Sequence, residues 1–534
     1  MQNSASRHLH TDSGSSASRL QVAIQLAGQS DSTGSDALPP EIGGSRNVVS
    51  VAGTSGDALT HEQYVAQSCG VSALVQRLPT ELLADIFDMC FPEEMLWIDN
   101  SITAADEVRR LSQHHLLQLG QVCSRWHAIA MCTPKLWSTL AFDINSWRKF
   151  PIPNSAFLTL LESSLTRGGD HPLTLRVGTR KGLTENRDAI TLLYKHAQRW
   201  QSVHFSSNDR CRCKSFSDAV GNLEQLHHLS LNVSWKRVDI FARAPRLKSL
   251  TLRARKGIVG DLSTLPWQQI ERCECIGTRM SKPHLLYFPL SVLQRAQSAA
   301  EIYLSLTLRS TSVSQTQLFQ VSSNAREVEF ELDADTPQLI GQLFDCLTLP
   351  CLESYDFYAA GDDLPPWPSE AFLALADRSK FADHLTRLSI CAIISDVELV
   401  RCLKVLPRLE ELSLWDGWPT ESMPVPNIVI TDTFLRALLF KEDEPYLVPS
   451  LGFLYLVPRL EFSDSVLLDV VNCRIEELGS DDGDECPTFQ VKLFWQDPLE
   501  RSRDVSAETL EQLQELVSEG RLLFYYGEAS EFDF

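Results

Sequence analysis

The chain of 534 residues contains no apolar run that approaches the ~18 residues of a membrane-spanning helix. Its first residues also lack a basic segment followed by an apolar core, so we expect no secretory signal. Basic residues number 48 against 69 acidic ones, and the net charge of −21 disfavours a general affinity for phosphate backbones. We therefore expect neither a membrane nor a nucleic acid as a partner.

Aromatic residues are missing from the beginning of the chain. Residues 1–57 contain no Phe, Tyr or Trp and are rich in Ser, Gly, Asp and Thr. A segment of this composition cannot bury enough apolar surface to offset the entropy lost on ordering. It predicts a disordered tail over residues 1–60, in which the serines are either phosphorylation sites or part of a plain flexible segment.

The cysteines form no short disulfide framework. Fourteen are spread along the chain, which fits reduced thiols and a location in the cytoplasm, the nucleus or both. Cys211, Cys213, Cys273 and Cys275 could together offer four thiolates to zinc, but zinc-binding pairs usually stand further apart. Cys273 and Cys275 occupy apolar strand positions and are expected in the core, whereas the other pair lies among basic residues and could be reactive or metal-binding. We expect no metal and no cofactor.

Motifs of several enzyme classes are also missing. The sequence has no Gly-x-Ser-x-Gly elbow, no Walker A loop and no Gly-x-Gly-x-x-Gly turn. His61 and Glu62 begin like a zincin helix, but Val65 stands where the second His is required. The adjacent His pairs at 114–115 and 227–228 point to different faces and make poor chelates. The sequence thus predicts no catalytic residue, and we expect a protein that is not an enzyme.

Two apolar stripes with helical spacing are present after the tail. Pro79 suits the first turn of a helix, and Glu81 falls in the positively polarised part of that turn. The first stripe contains Leu82, Leu83, Ile86 and Phe87. The second stripe, which ends before Pro134, contains Leu116, Leu119, Val122, Cys123, Trp126 and Ala130. Such short helices must bury these faces against each other or against a partner.

This stretch resembles an F-box, whose motif is Leu-Pro-x-Glu-x-Leu, a hydrophobic helix, Val-Cys-x-x-Trp and a closing Leu-Trp. The matching residues are Leu78, Pro79, Glu81, Leu83, Ile86, Phe87, Val122, Cys123, Trp126, Leu136 and Trp137. The resemblance implies an F-box over residues 74–142 that binds the Skp-type adaptor of a cullin-RING ubiquitin ligase, and it assigns adaptor binding to the same residues except Leu136. An insert, residues 91–115, is longer than in many F-boxes and contains a predicted short helix.

A second pattern, apolar-x-x-apolar-x-apolar, recurs ten times at intervals of 21 to 42 residues. Its first positions are Trp200, Leu226, Leu247, Ile270, Ala299, Ala325, Leu352, Leu385, Leu409 and Leu451. Helical stripes lie between several of these strands, which predicts parallel strands side by side with helices outside. The set resembles leucine-rich repeats without their asparagine ladder. An F-box followed by such repeats resembles F-box proteins that are abundant in fungi.

These patterns together predict an α/β protein with a small all-α module and an irregular leucine-rich-repeat-like solenoid. The expected regions are a tail (1–60), an F-box (74–142) and a substrate-recognition domain (150–534). The end of the chain predicts a cap with a helix over Asp464–Asn472, a strand over Phe489–Trp495, and a last helix that Ser506 caps and Gly520 ends.

The residues between and just after the apolar pair of each strand should point to the open face of the sheet. This face is basic at Arg253, acidic in the middle and aromatic towards the C-terminal end. The predicted substrate-binding residues are Glu274, Tyr303, Glu329, Glu331, Asp356, Tyr358, Trp415 and Tyr455. Exposed Tyr and Trp anchor interfaces, so we expect a protein ligand with a basic segment and apolar anchors. The alternative is a solvated face whose aromatic side chains pack against their neighbours.

The resemblance implies a substrate receptor of a Skp-cullin-F-box ubiquitin ligase, which holds a target protein near the ubiquitin-conjugating enzyme. A repeat scaffold without a ligase role, in which the helical hairpin only caps the repeats, is the main alternative. A hydrolase whose site residues the sequence hides is more distant.

Overall fold

A computed structural model of the chain describes residues 77–90, 119–143, 154–179, 187–207, 223–232, 239–255, 262–278, 286–308, 318–334, 337–359, 364–417, 426–440, 445–478, 488–495 and 503–528. The predicted tail and the insert lie outside these residues. The chain divides into two compact units, residues 1–142 with 146–171 and residues 143–145 with 172–534. Within the described part, no helix is both long and apolar enough to cross a bilayer.

The first unit is largely helical. Its elements are α1 (Thr80–Met89), α2 (Ser124–Cys132), a 3₁₀ helix (Pro134–Trp137), β1 (Thr139–Asp143) and α3 (Asn154–Arg167). Helix α1 begins directly after Pro79, and Glu81 lies in its first turn, as the sequence predicts. The predicted second stripe extends too far towards the N-terminus, because α2 begins only at Ser124. Cys123 is extended and its sulfur accepts the N–H of Trp126 at 3.4 Å.

The two predicted stripes pack against each other in the first unit. The buried cluster contains Leu83, Phe87, Leu119, Trp126, Ile129, Leu136 and Trp137. The rings of Phe87 and Trp126 lie 4.8 Å apart between centroids. The indole N–H of Trp137 donates to the carbonyl oxygen of Ala130 at 2.7 Å, which joins the 3₁₀ helix to α2. The expectation that the helices bury their apolar faces on each other is confirmed for Leu83 and Phe87 of the first stripe. It is wrong for Leu82 of the same stripe, which is 49% exposed.

The second unit alternates strands and helices. Its strands are β2 (Leu173–Thr179), β3 (Trp200–Ser207), β4 (His228–Asn232), β5 (Ser249–Arg255), β6 (Arg272–Thr278), β7 (Glu301–Leu308), β8 (Val321–Ser322), β9 (Glu327–Ala334), β10 (Leu347–Thr348), β11 (Ser354–Ala359), β12 (Arg387–Ile390), β13 (Glu411–Trp415), β14 (Phe453–Val457), β15 (Phe489–Trp495) and β16 (Leu522–Glu528). Its α-helices are α4 (Arg187–Lys195), α5 (Tyr287–Leu293), α6 (Pro337–Asp345), α7 (Ser369–Ser379), α8 (Asp396–Leu403), α9 (Asp432–Ala437), α10 (Asp464–Leu478) and α11 (Ala507–Ser518).

These strands form a parallel sheet in chain order. Strands β8 and β10 pair with each other in a separate short ladder, and every other neighbouring pair from β2 to β16 is parallel. Consecutive helices from α6 to α11 contact each other, so they form a second layer beside the strands. This architecture is the predicted α/β solenoid, in which each unit stacks on the one before it.

The apolar repeat builds the core between the two layers. All three apolar positions of every predicted repeat are buried, and none exposes more than 3% of its surface. Larger aromatic side chains fill the middle of this core, where the rings of Phe357 and Trp367 lie 5.0 Å apart. The repeat pattern therefore identifies both the strands and the side of each strand that faces the helices.

The C-terminal cap follows the predicted pattern and then continues. Strand β15 has the predicted bounds, and the hydroxyl of Ser506 accepts the N–H of Thr509 at 3.2 Å at the start of α11. Gly520 ends this helix at φ 72°, where a Cβ would be strained. The sequence did not predict β16, which pairs in parallel with β15. Its run of large apolar residues lacks the repeat signature.

Candidate functional site

Helix α1 exposes an apolar stripe on the side away from the buried cluster. Pro79, Leu82, Ile86 and Met89 follow each other at intervals of three and four residues, which places them along one side of the helix. Leu82 is 49% exposed and Met89 is 75% exposed, whereas Ile86 is half-buried. We call these four residues the outer stripe. Aligned apolar side chains that remain open to water are typical of a docking surface.

The predicted adaptor-binding residues separate into three groups in this unit. Leu83, Phe87, Trp126 and Trp137 are core residues, and none is more than 9% exposed. Leu78, Ile86 and Val122 are half-buried, while Pro79, Glu81 and Cys123 are exposed. The core residues hold the two helices together, so in this conformation they support a docking surface rather than form it. Their role in adaptor binding remains a prediction.

Two residues of the outer stripe were not among the predicted site residues. Leu82 was assigned to the first helical stripe, but the F-box motif leaves its position open, and Met89 lies beyond the motif residues of this helix. Their spacing could have identified them, because each stands three or four positions from Ile86 or Pro79 and therefore lies on the same side of the helix. A helical projection separates them from Leu83 and Phe87 without any structure.

Polar contacts fix the position of α1 within its unit. The guanidinium of Arg125 on α2 donates to the carbonyl oxygen of Leu78 at the start of α1. At the other end, the ammonium group of Lys135 lies 2.8 Å from a carboxylate oxygen of Asp88, which raises the pKa of Lys135. Polar contacts thus connect both ends of α1, the helix that carries the outer stripe, to the rest of its unit.

The parallel register aligns the predicted substrate-binding residues on one side of the sheet in the second unit, which we call the open face. Glu274, Tyr303, Glu329 and Asp356 pair with each other in turn on β6, β7, β9 and β11. The same row continues through two serines to Tyr455 on β14. One row further along the strands lie the other three, Glu331, Tyr358 and Trp415. The structure brings all eight together on one face.

Four carboxylates form the acidic centre of the open face, Glu274, Glu329, Glu331 and Asp356. Hydroxyl groups donate to three of them: Thr251 to Glu274 at 2.8 Å, Tyr303 to Glu331, and Tyr358 to Asp356 at 3.4 Å. Within the described residues, none of the four forms an ion pair with a basic side chain.

The electrostatics of the acidic centre favour a cationic ligand. Burial raises the pKa of Glu329, and the neighbouring charges of Asp356, Glu331 and Glu274 raise it further. Burial and the hydrogen bond to Glu331 likewise raise the pKa of the Tyr303 hydroxyl. Like charges held close together destabilise the folded chain, and a basic ligand would relieve that repulsion.

Aromatic side chains continue the open face beyond the acidic centre. Ring centroids lie 5.5 Å apart between Tyr358 and Trp415, 5.4 Å between Trp415 and Tyr455, and 5.5 Å between Tyr455 and Phe494. We call these four residues the aromatic ladder. Burial raises the pKa of Tyr358 to about 12. The side chains pack on one another, as expected if the face has no binding role. Tyr358, Trp415 and Tyr455 are nevertheless only half-buried, so they present apolar surface next to the acidic centre.

The cysteine predictions can be examined for one pair. Cys273 and Cys275 lie on β6 and are buried, and burial raises the pKa of Cys273 to about 12. Their predicted place in the core is confirmed. Cys211 and Cys213 lie outside the described residues. Across the described part of the chain, no group of three or more His, Cys, Asp or Glu side chains is placed to hold a metal ion.

Comparison with known families supports the first unit's architecture. Residues 75–143 match the family described as F-box-like. The chain therefore carries an F-box-like domain, and domains of this kind typically bind Skp-type adaptors and belong to adaptor proteins rather than enzymes. No curated protein matches the chain.

Proposed function

We propose that this protein is a substrate receptor of a Skp-cullin-F-box ubiquitin ligase. The observation that carries the proposal is the F-box-like domain at residues 75–143, whose helix α1 exposes the outer stripe. Such a receptor performs no bond chemistry. It raises the effective concentration of a bound target near the ubiquitin-conjugating enzyme, so the transfer of ubiquitin becomes a reaction within one assembly.

The outer stripe is the proposed contact for the adaptor. Burying Leu82 and Met89 against an apolar groove would remove two large apolar side chains from water, each contributing about 1 kcal/mol or more. The buried Phe87 and Trp126 contribute indirectly, because they set the spacing between α1 and α2. Helix-in-groove docking of this type uses anchors at helical spacing, which the outer stripe supplies.

The open face is the proposed contact for the target protein. A basic segment of the target would lie over the acidic centre, and its apolar side chains would pack on the aromatic ladder. Charge complementarity would select the segment and increase its association rate, while Trp415 and Tyr455 would provide most of the affinity as half-buried anchors.

The adaptor contact is tested by co-purifying a Skp-type adaptor with the full chain and with the double variant Leu82→Asp, Met89→Asp. Both substituted side chains point to solvent, so the variant should keep the wild-type circular dichroism spectrum. We expect the wild type to retain the adaptor and the variant to lose it. The matched control is Leu160→Asp, a leucine of the same unit that is 44% exposed and lies on a different helix, α3.

The alternative function, a repeat scaffold without a ligase role, predicts a different outcome. In that case the folded wild type would not bind the adaptor. Equal adaptor binding by wild type and the double variant would instead reject the outer stripe as the contact while leaving the receptor function in place. The Leu160→Asp control should behave like the wild type, because charge on an unrelated surface has no reason to affect docking.

A further inference from the structure

The last strand of the sheet, β16, leaves one edge of the sheet without a neighbour. Among the described residues it pairs only with β15, through every position of Leu522–Glu528. Successive residues of a strand point their N–H and C=O groups to opposite edges, so about half of these groups face away from β15. Natural proteins commonly protect an edge strand with proline, lysine or a bulge, and β16 has none of the three. We call the outer side of this strand the free edge.

Apolar side chains are accessible on both sides of the free edge. On the open face, Leu523 is 40% exposed and Tyr525 is 38% exposed. The alternate residues Phe524 and Tyr526 lie on the helix side, where they are half-buried and their rings stack with an interplanar angle of 13°. A further strand along β16 would cover apolar surface on both of these sides.

Acidic side chains accompany the free edge on its helix side. The hydroxyl group of Tyr526 donates to a carboxylate oxygen of Asp504 at 3.4 Å. Helix α11, which packs on β16, carries Glu508 and Glu515 on its exposed surface. Within the described part of the chain, neither glutamate forms an ion pair. These charges favour a partner that brings basic side chains to the free edge.

The same charges disfavour two other occupants. A second copy of the chain, paired through its own β16, would bring a second α11 with the same carboxylates. The chain's own residues 529–534 contain two acidic residues and no basic residue. Like charges brought close together repel each other. Charge therefore favours a basic segment of another protein over either occupant that this chain could supply.

We propose that the free edge binds an extended segment of another protein, with alternating apolar and basic residues, as an additional strand of the sheet. Its apolar side chains pack on Leu523 and Tyr525. The stems of its Lys or Arg residues lie on the rings of Phe524 and Tyr526, with their charges towards the carboxylates on the helix side. Backbone hydrogen bonds supply affinity, and the alternation sets the register. The site does not depend on the proposed receptor function.

A labelled heptapeptide of alternating Lys and Val with blocked ends tests the free edge, by fluorescence anisotropy with the full chain. We expect saturable binding that weakens as salt is added, and slower hydrogen exchange of the β16 amides in the complex. A peptide with proline at the central valine should bind about tenfold or more weakly, because proline cannot donate to the sheet. Equal binding of both peptides, or of a peptide with Glu in place of Lys, would overturn the proposal.

The matching chain variant is Leu523→Lys, since a lysine on the edge opposes further pairing and repels a basic peptide. It should bind the peptide about tenfold or more weakly and keep the wild-type circular dichroism spectrum. Val397→Lys adds the same charge to an exposed valine of α8 and should bind like the wild type. Glu515→Gln, which leaves the strand itself unchanged, should weaken binding at low salt. Wild-type affinity in both Leu523→Lys and Glu515→Gln would contradict the assigned site.

Sedimentation of the chain without peptide distinguishes the other occupants. A monomer that binds the peptide agrees with the proposal. A wild-type dimer that dissociates in Leu523→Lys would replace the proposed partner with a second copy of the chain. Peptide binding that arises only after residues 529–534 are deleted would assign the free edge to the chain's own end, and would equally reject the proposal.

Discussion

Asp416, immediately after β13, is a buried carboxyl group that binds three N–H groups from two other backbone segments. Its oxygens accept the N–H groups of Val429 at 2.8 Å, Ile430 at 2.9 Å and Arg459 at 2.9 Å. Replacing it with alanine would leave three backbone donors without their acceptor. We expect Asp416→Ala to lower the free energy of unfolding by about 3 kcal/mol in urea titrations. Asp383→Ala, at an exposed position, is the control and should change it little.

The same carboxyl group gives a pH-dependent contribution to stability. Burial raises the pKa of Asp416 from 3.8 to about 6, and the three N–H groups only partly oppose this. Between about pH 4 and pH 6 the folded chain holds a proton that the unfolded chain has released. The contribution of Asp416 is therefore greatest at low pH and falls as the pH rises through about 6. The difference in unfolding free energy between the wild type and Asp416→Asn should therefore change between pH 4.5 and pH 7, with the wild type relatively more stable at pH 4.5. An equal difference at both pH values would contradict a raised pKa of Asp416.

Glu329 illustrates a residue whose charge is unfavourable for stability. Burial and three neighbouring carboxylates raise its pKa, so its contribution to stability is lost as the pH rises through that raised value. We expect Glu329→Gln to increase the unfolding free energy at pH 7 by up to about 1 kcal/mol and to weaken binding of a basic target. Glu511→Gln, on the exposed side of α11, should change neither quantity. A loss of stability in Glu329→Gln would mean that the carboxylate is a structural acceptor.

Individual side chains set the limit of what the sequence can predict at this scale. The alternating pattern predicts that Tyr303 and Glu331 share a face. Their hydrogen bond joins residues 28 positions apart on different strands and depends on side-chain rotamers, which the pattern does not predict. The surroundings of Arg474 were even less predictable from the sequence. A charged residue on a helix is ordinarily solvated, whereas this side chain is buried and donates to the carbonyl oxygens of Leu438, Leu447 and Val448.

At the scale of elements, the aromatic ladder is the part of the open face most open to a direct test. Trp415 contacts aromatic rings on both sides, so its removal interrupts the ladder. We expect Tyr358→Ala, Trp415→Ala to lose at least tenfold in affinity for the target protein, because central aromatic anchors dominate interfaces. Once a target is identified, quantitative binding assays would provide the measurement. Unchanged affinity would support the alternative that the ladder is only internal packing.

The matched control for the ladder uses aromatic residues away from the open face. Phe440 is exposed and its ring lies 5.8 Å from that of Tyr446. Phe440→Ala should leave target binding intact. Adaptor binding should stay unchanged in both variants, since the outer stripe belongs to the first unit and the ladder to the second.

Elements were predicted well where a residue pattern has a single physical meaning. Each repeat strand carries three apolar positions at fixed spacing, and one register satisfies all of them at once, as at Leu412 and Leu414 on β13. The start of α2 was placed too early because a sulfur cap at Cys123 replaced the Ser, Thr, Asn or Asp that usually marks a helix start. Strand β16 was missed because its consecutive apolar residues carry no period.

In the whole molecule, the proposed adaptor contact and the proposed target contact belong to different units. The net charge of −21 agrees with an acidic open face that selects basic targets, and the first unit carries the F-box-like domain. Fold class and the residues of the open face followed from the sequence, because a repeat presents equivalent positions on equivalent strands. The outer stripe was not predicted as a whole, because the F-box motif includes residues such as Leu83 and Phe87, which are buried in the core.

The proposed receptor function is tested most directly by titrating the folded full chain with a purified Skp-type adaptor, followed by calorimetry and by size-exclusion chromatography. We expect a saturable complex of one chain with one adaptor, and no complex for Leu82→Asp, Met89→Asp under the same conditions. Separate elution of the folded wild type and the adaptor, with no heat of binding, would contradict it.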